Sequence, residues 1–240
     1  MVQTHWLSSA ATHCGAVRSM NEDAFLNRNN EGLWAVADGM GGHEAGEVAS
    51  AMIVNSMTPL DLKPPLVDIV DSLEDALLEV HHNIRTYSRT HCEGRTMGST
   101  VVSLFIRQQV GVCLWVGDSR LYRLRKQQLV QISEDHSQVN EMLSRGMISE
   151  QEAVNHPASN VITRAVGANE TLYVDATVVE LQKDDIYLLC SDGLYGALSE
   201  AEISLLLQTG DVEKATQSLI DQALQAGARD NVTVVAVKIQ

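Results

Sequence analysis

Three observations in the sequence predict an α+β fold in which antiparallel sheets pack together under covering helices. Short apolar runs rich in Val, Ile, Leu, Trp or Tyr cluster in the middle and at the end of the chain. Helical patterns fall in pairs between them, and no regular β-α-β alternation of the kind that builds a parallel sheet occurs.

Taken along the chain, the first strand is predicted over 33–37, and proline-bearing residues 58–65, with Pro59, Pro64 and Pro65, read as a loop between two helices. The helix after it has Leu73, Leu77, Val80, Ile84 and Tyr87 at 3–4 spacing. Asp71, Glu74 and Asp75 lie early in it and Arg85 and Arg89 late, as the helix dipole favours. Strands follow over 99–106, 110–116 and 121–124; the link Arg107-Gln108-Gln109 has hairpin length, so the first two are antiparallel neighbours. Ser149 with Glu152, and Ser199 with Glu202, have the form of capping boxes opening short helices. A strand over 186–190, an amphipathic helix over 212–226 and a last strand over 232–239 complete the set. With no internal repeat and no linker-length break, the sequence predicts one domain over 1–240.

The chain carries 31 acidic and 17 basic residues, a formal charge of −14. That field repels phosphate backbones and anionic lipid, which excludes nucleic acid and membrane as first partners. A hydrophobic share of 45% excludes disorder. Cys14, Cys92, Cys113 and Cys190 have neither zinc-site nor CxxC spacing and read as free thiols. With no secretory leader and no apolar run long enough to span a bilayer, they point to the cytoplasm.

The informative pattern is where the aspartates fall. Three apolar runs lead into Asp38-Gly39, Gly117-Asp118-Ser119 and Ser191-Asp192-Gly193, while Asp230-Asn231 precedes the last strand. A final strand antiparallel to the other three would gather four carboxylates at one end of a sheet. Singly, each is an ordinary turn residue. Together they would repel one another unless cations were bound, and hard oxygen ligands in that number suit Mg²⁺ or Mn²⁺. Gly39 and Gly193 would let the backbone approach such an ion.

These residues resemble the metal-dependent Ser/Thr protein phosphatases of type 2C in their compact, stand-alone bacterial form. The motifs stand in family order: Gly15-Ala-Val-Arg18-Ser-Met-Asn21-Glu22-Asp23, Ala37-Asp38-Gly39-Met40-Gly41-Gly42-His43, Gly98-Ser99-Thr100, Val116-Gly117-Asp118-Ser119-Arg120, Asp135-His136-Ser137, Thr163-Arg164-Ala165-Val166-Gly167, Ser191-Asp192-Gly193-Leu194 and Arg229-Asp230-Asn231-Val232-Thr233.

The resemblance implies a four-layer αββα sandwich, two antiparallel sheets flanked by helices, and hydrolysis of phosphoserine and phosphothreonine by direct attack of a metal-bridging hydroxide. It implies two core Mg²⁺ or Mn²⁺ ions, with Asp38 bridging them, the Gly39 carbonyl on one, and Asp192 and Asp230 on the other. Asp23 matches a further site position, and Glu22 acts through a metal-bound water. In bacterial members a third, weaker ion is held at Asp118 with Asp192. Arg18 matches the arginine that grips the substrate phosphate, as its planar fork suits, and His43 the general acid. The stretch 141–158, with Met142, Arg145 and Met147, matches the family's flap, and Thr163 and Arg164 are assigned to the fold. The remaining histidines, His136 among them, read as surface or structural. Implied partners are phosphorylated proteins made by a cognate Ser/Thr kinase, acted on by a monomer. The alternative is a catalytically weak regulatory member of the same fold, which intact Asp38, Asp192, Asp230, Arg18 and His43 argue against. A phosphate loop GxxxxGK[ST] and a GxSxG elbow are both absent from the sequence.

Overall fold

A computed structural model of the chain describes residues 4–41, 44–93, 95–153, 156–158 and 161–240. The elements are β1 (Trp6–His13), β2 (Asp23–Arg28), β3 (Leu33–Met40), α1 (Ala45–Met57), α2 (Leu66–His91), β4 (Gly98–Ser99), β5 (Val101–Arg107), β6 (Val110–Val116), β7 (Arg120–Arg125) and β8 (Gln128–Gln131). They continue as α3 (Gln138–Ser144), α4 (Glu150–Ala153), β9 (Asp175–Glu180), β10 (Ile186–Cys190), α5 (Asp192–Tyr195), α6 (Glu200–Leu207), α7 (Val212–Gln225) and β11 (Val232–Ile239).

One sheet has the order β1-β11-β10-β7-β8 and the other β2-β3-β5-β6-β9, with β4 beside β3. Every pairing is antiparallel. The layers follow from period-2 side-chain alternation in strands buried on both faces. In β11, Val235 and Val237 meet Trp34, Val102 and Leu104 between the sheets, whereas Val234 and Ala236 face outward onto Leu219 and Ala223 of α7. The outer face of the second sheet, with Ala35 and Phe105, is covered by Ile53 of α1 and by Leu73, Leu77 and Ile84 of α2. Three apolar seams thus separate four layers, the αββα arrangement.

The helix predicted from Leu73 to Tyr87 lies inside the longer α2, and the predicted capping box at Ser199 forms, Ser199 taking the Glu202 amide while Glu202 returns to the Ser199 backbone. The strands over 110–116, 186–190 and 232–239 have the expected bounds. Among the described residues no helix is long and apolar enough to cross a membrane. The four cysteines are unbridged, Cys113 and Cys190 being buried.

One expectation is corrected. The four aspartates do not line one end of a single sheet: β3 and β6, which lead to Asp38 and Asp118, belong to one sheet, while β10 and β11, which flank Asp192 and Asp230, belong to the other. Alternation alone does not assign strands to sheets, since both sheets here are buried on both faces.

Candidate active site

The site is built at one end of the sandwich, where the two sheets bring their carboxylates together. Asp38 lies inside β3 rather than after it, because β3 continues through Met40 by pairing with β4. It stands opposite Asp23, the first residue of β2. Thr100 fixes the Asp38 peptide from both sides, donating its amide to the Asp38 carbonyl at 2.8 Å and accepting the Asp38 N–H on its hydroxyl at 3.2 Å. From the other sheet, the β10–α5 turn supplies Ser191, whose Oγ donates to Asp23 Oδ2 at 2.8 Å, and Asp192.

The loop that carries Arg18 is anchored by Asn231, whose side chain is buried. Its Nδ2 donates to the carbonyls of Cys14 and Met20 at 3.0 and 2.9 Å, and its Oδ1 accepts the Glu22 N–H at 2.8 Å. Gly15 adopts φ +79°, and a Cβ there would sit 2.1 Å from the Asp230 carbonyl oxygen, so the loop passes where only glycine fits. At its crest Arg18 Nη2 donates to Asp230 Oδ2 at 2.8 Å, with both side chains about half exposed at the pocket mouth.

Electrostatics single out this cluster. Burial is the largest cause pushing up the carboxyls of Asp23, Asp38, Asp118 and Asp192; Asp38 is raised further by Asp23, Asp192, Asp118 and Asp230, which are near enough to repel it. Asp23 and Asp192 are raised to about 6 and Asp118 to about 7. Asp38 is half-buried as a residue, while its carboxyl is surrounded by protein. Glu22 is raised as well, again chiefly by burial.

Three carboxylate oxygens here, Glu22 Oε1, Asp23 Oδ1 and Asp192 Oδ1, are buried without a hydrogen-bond partner. Buried acceptors in that state are costly unless something cationic meets them. Among the described residues no three His, Cys, Asp or Glu side chains form a metal cage by themselves. The donor set instead suits a hard divalent ion that keeps several of its waters, as Mg²⁺ does.

A cleft of about 420 Å³ opens beside the cluster between Asp118, Arg120, Asp192, Tyr195, Arg229 and Asp230. Tyr195 donates its hydroxyl to the Asp118 carbonyl at 3.0 Å and lies under the Arg120 guanidinium, 3.6 Å from ring centroid to Cζ. Arg120 is in turn held by Asp135 through Nε and Nη2, the latter at 2.6 Å.

The structure therefore brings together Arg18, Glu22, Asp23, Asp38, Gly39, Asp118, Asp192 and Asp230. His43 lies outside the described residues, and so do 154–155 of the expected flap. The glycines after the aspartates also meet a packing demand. A Cβ on Gly39 would fall 2.0 Å from the Gly46 carbonyl oxygen, and one on Gly193 2.0 Å from that of Asn231; protein backbone occupies the space. Sequence reasoning passed over Thr100, Ser191, Tyr195 and Asn231 as positioning groups. Their signal was their place inside the motifs, next to or facing an aspartate, but a neutral side chain there has no chemistry that announces a role.

A family model described as Protein phosphatase 2C matches residues 12–231. The chain is 37% identical over 235 residues to the serine/threonine phosphatase stp of Listeria monocytogenes serotype 4b (strain F2365), covering 95% of this chain and 93% of that one. Among solved structures, PppA, described as a key regulatory component of T6SS in Pseudomonas aeruginosa, superposes with a TM-score of 0.91 at 38% identity over 99% of both chains. The catalytic domain of serine threonine protein phosphatase PstP in complex with 2 manganese ions superposes with a TM-score of 0.88 at 33% identity, over 98% of this chain and 99% of that one. Sequence along nearly the whole length, the four-layer sandwich and the carboxylate end of its two sheets agree: the chain belongs to the protein phosphatase 2C family of metal-dependent protein phosphatases.

Proposed function

We propose that this pocket hydrolyses phosphoserine and phosphothreonine in proteins, with Mg²⁺ or Mn²⁺ held by Asp23, Asp38, Asp192, Asp230 and the Gly39 carbonyl, and a weaker ion at Asp118. The observation that carries the reading is the set of buried carboxylate oxygens without partners at a site where two sheets crowd five aspartates. Bound there, the ions would acidify a water for attack on phosphorus and neutralise charge on the phosphate.

The chain's own groups do the rest. Arg18 stands at the mouth, and its fork matches two phosphate oxygens; its bond holds the guanidinium against Asp230, which lines the pocket. Glu22, half-buried with Oε1 shielded from solvent and held by the Asn231 bond to its amide, offers an acceptor that orients water. Asp38 stands opposite Asp23, its peptide fixed by Thr100. His43 is proposed to protonate the leaving alkoxide, on its motif alone.

A phosphorylated side chain is the expected substrate, supplied by a Ser/Thr kinase, with the enzyme acting as a cytoplasmic monomer; the four unbridged cysteines support that compartment. The test is hydrolysis of an aryl phosphate with Mn²⁺, with EDTA, and with Asp192→Asn. Activity is expected only in the first. Turnover that survives both EDTA and the substitution overturns the proposal.

A further inference from the structure

The motif Asp135-His136-Ser137 has no part in the chemistry above, yet three of the site's supports meet in it. His136 is buried, and it grips Gly117 twice: its backbone N–H donates to the Gly117 carbonyl at 2.9 Å, and the Gly117 N–H donates to its Nδ1 at 3.0 Å. Because Gly117 brings the proton to that bond, Nδ1 is bare and the ring proton is on Nε2, which faces Asp175 Oδ2 at 3.2 Å. The ring stacks on Trp115, the residue two before Gly117. Gly117 itself has φ +104°, and a Cβ there would strike Thr100 at 2.6 Å. The turn that presents Asp118 is therefore made by a residue with no side chain to hold it, and the imidazole supplies the hold.

The same residue carries the root of the flap. The His136 carbonyl accepts the Thr163 N–H at 2.8 Å where the chain returns, Ser137 bridges Ile162, and Ser137 Oγ caps α3 by accepting from the Asn140 N–H. Just before it, Asp135 clamps Arg120, which lies over the Tyr195 ring that reaches the Asp118 carbonyl.

We propose that His136 is a positioning residue that fixes the Gly117-Asp118 turn through Nδ1 and ties that turn to the flap, so that cation binding at Asp118 and flap placement depend on one side chain. The proposal rests on the reading of Asp118 as a cation ligand.

The test uses His136→Leu, which removes the acceptor, and His136→Asn, whose Oδ1 accepts where Nδ1 does, with Asp118→Asn as reference and circular dichroism as the check of fold. Bound Mn²⁺ is counted by electron paramagnetic resonance of the free ion. Asp118→Asn should abolish a weak class of bound Mn²⁺; His136→Leu should weaken that same class about tenfold or more while sparing the tight ions, as loss of an outer support of a metal ligand does, and His136→Asn should restore it. His136→Leu should also raise KM for a phosphopeptide more than for an aryl phosphate. A folded His136→Leu with unchanged weak-class binding overturns the proposal, as does an Asn variant no better than Leu. If Asp118→Asn removes no Mn²⁺, the cation at Asp118 falls instead, independently of His136. The unmutated protein supplies a second measurement. Its long-range ¹H–¹⁵N spectra should show His136 as the Nε2–H tautomer, with signals that move on Mg²⁺ addition and stay still in Asp118→Asn. A ring protonated on Nδ1, or one insensitive to Mg²⁺, overturns the proposal without any His136 variant.

Discussion

Asp23 and Asp38 stand directly opposite one another in the β2–β3 ladder, two carboxylates in one cross-strand pair. Like charges in that position destabilise a sheet. Replacing one of them should therefore relieve the metal-free fold while removing its response to cations. Asp38→Asn is expected to raise Tm in EDTA by about 2–4 °C for each kcal/mol relieved in a chain of this size, and to lose the stabilisation that Mn²⁺ gives. Thermal denaturation in EDTA and in Mn²⁺ reads both effects.

The pH dependence follows from the same crowding. Asp23 and Asp192 are raised to about 6 and Asp118 to about 7, so the folded, metal-free chain holds these protons more tightly than the unfolded one. Stability from these groups is full below the ordinary carboxylate range and is lost as pH rises through 6 to 7. Metal-free protein should thus melt at a higher temperature at pH 5.5 than at pH 8. Mn²⁺ should raise Tm more at pH 8, where it no longer competes with those protons. Equal Mn²⁺ shifts at both pH values would contradict this.

Arg18 pairs with Asp230 across the mouth at 2.8 Å. Arg18→Ala should lower kcat/KM for an aryl phosphate on the order of 10²-fold, the usual cost of a donor aimed at developing negative charge. Arg18→Lys keeps the charge without the fork and should recover only part of it. Steady-state kinetics at saturating Mn²⁺ makes the comparison.

Two glycines should differ in why, and how much, substitution destabilises the fold. Gly193→Ala places a Cβ 2.0 Å from the Asn231 carbonyl oxygen, and overpacking of this kind costs about 1–3 kcal/mol. Gly146 has φ +66° with no atom within 4 Å of the added carbon, so Gly146→Ala should cost only the left-handed backbone penalty, about 1 kcal/mol. Chemical denaturation separates the two.

Arg145, in the expected flap, is exposed and only loosely paired with Glu141, at 3.8 Å. If it meets substrate, Arg145→Ala should lower turnover of a phosphopeptide and spare that of an aryl phosphate. Equal loss on both would remove the contact.

Much of this was legible in the sequence because the signals were strong and local. The α2 stripe from Leu73 to Ile84 states its period plainly and the run from Val232 to Ile239 is almost continuously apolar, and Asp38, Asp192 and Asp230 stand where apolar runs begin or end. The edge strands were not legible. β1 reads Trp-Leu-Ser-Ser-Ala-Ala-Thr-His, with four small residues at its centre, and its pairing with β11 supplies what its own composition lacks. Which strand joins which sheet was hidden too, since strands apolar on both faces leave no alternation to say which neighbour they choose. His136 was read as surface or structural for want of spacing to another ligand. It is structural, and its place becomes visible only when Gly117 is seen to need a partner.

Trp6–His13 pairs along its whole length with Val232–Ile239, and Asn231 holds the loop that bears Arg18. The first strand and the last are thus the two halves of one clasp. During synthesis Arg18 leaves the ribosome early, yet its partner Asp230 and the strand that follows it come more than two hundred residues later. Long-range closure of this kind is slow. It also makes the assembled pocket depend on the strand after Asp230: a product ending before Asp230 would carry most of the carboxylates and none of the clasp, and should be silent toward phosphoproteins rather than partly active.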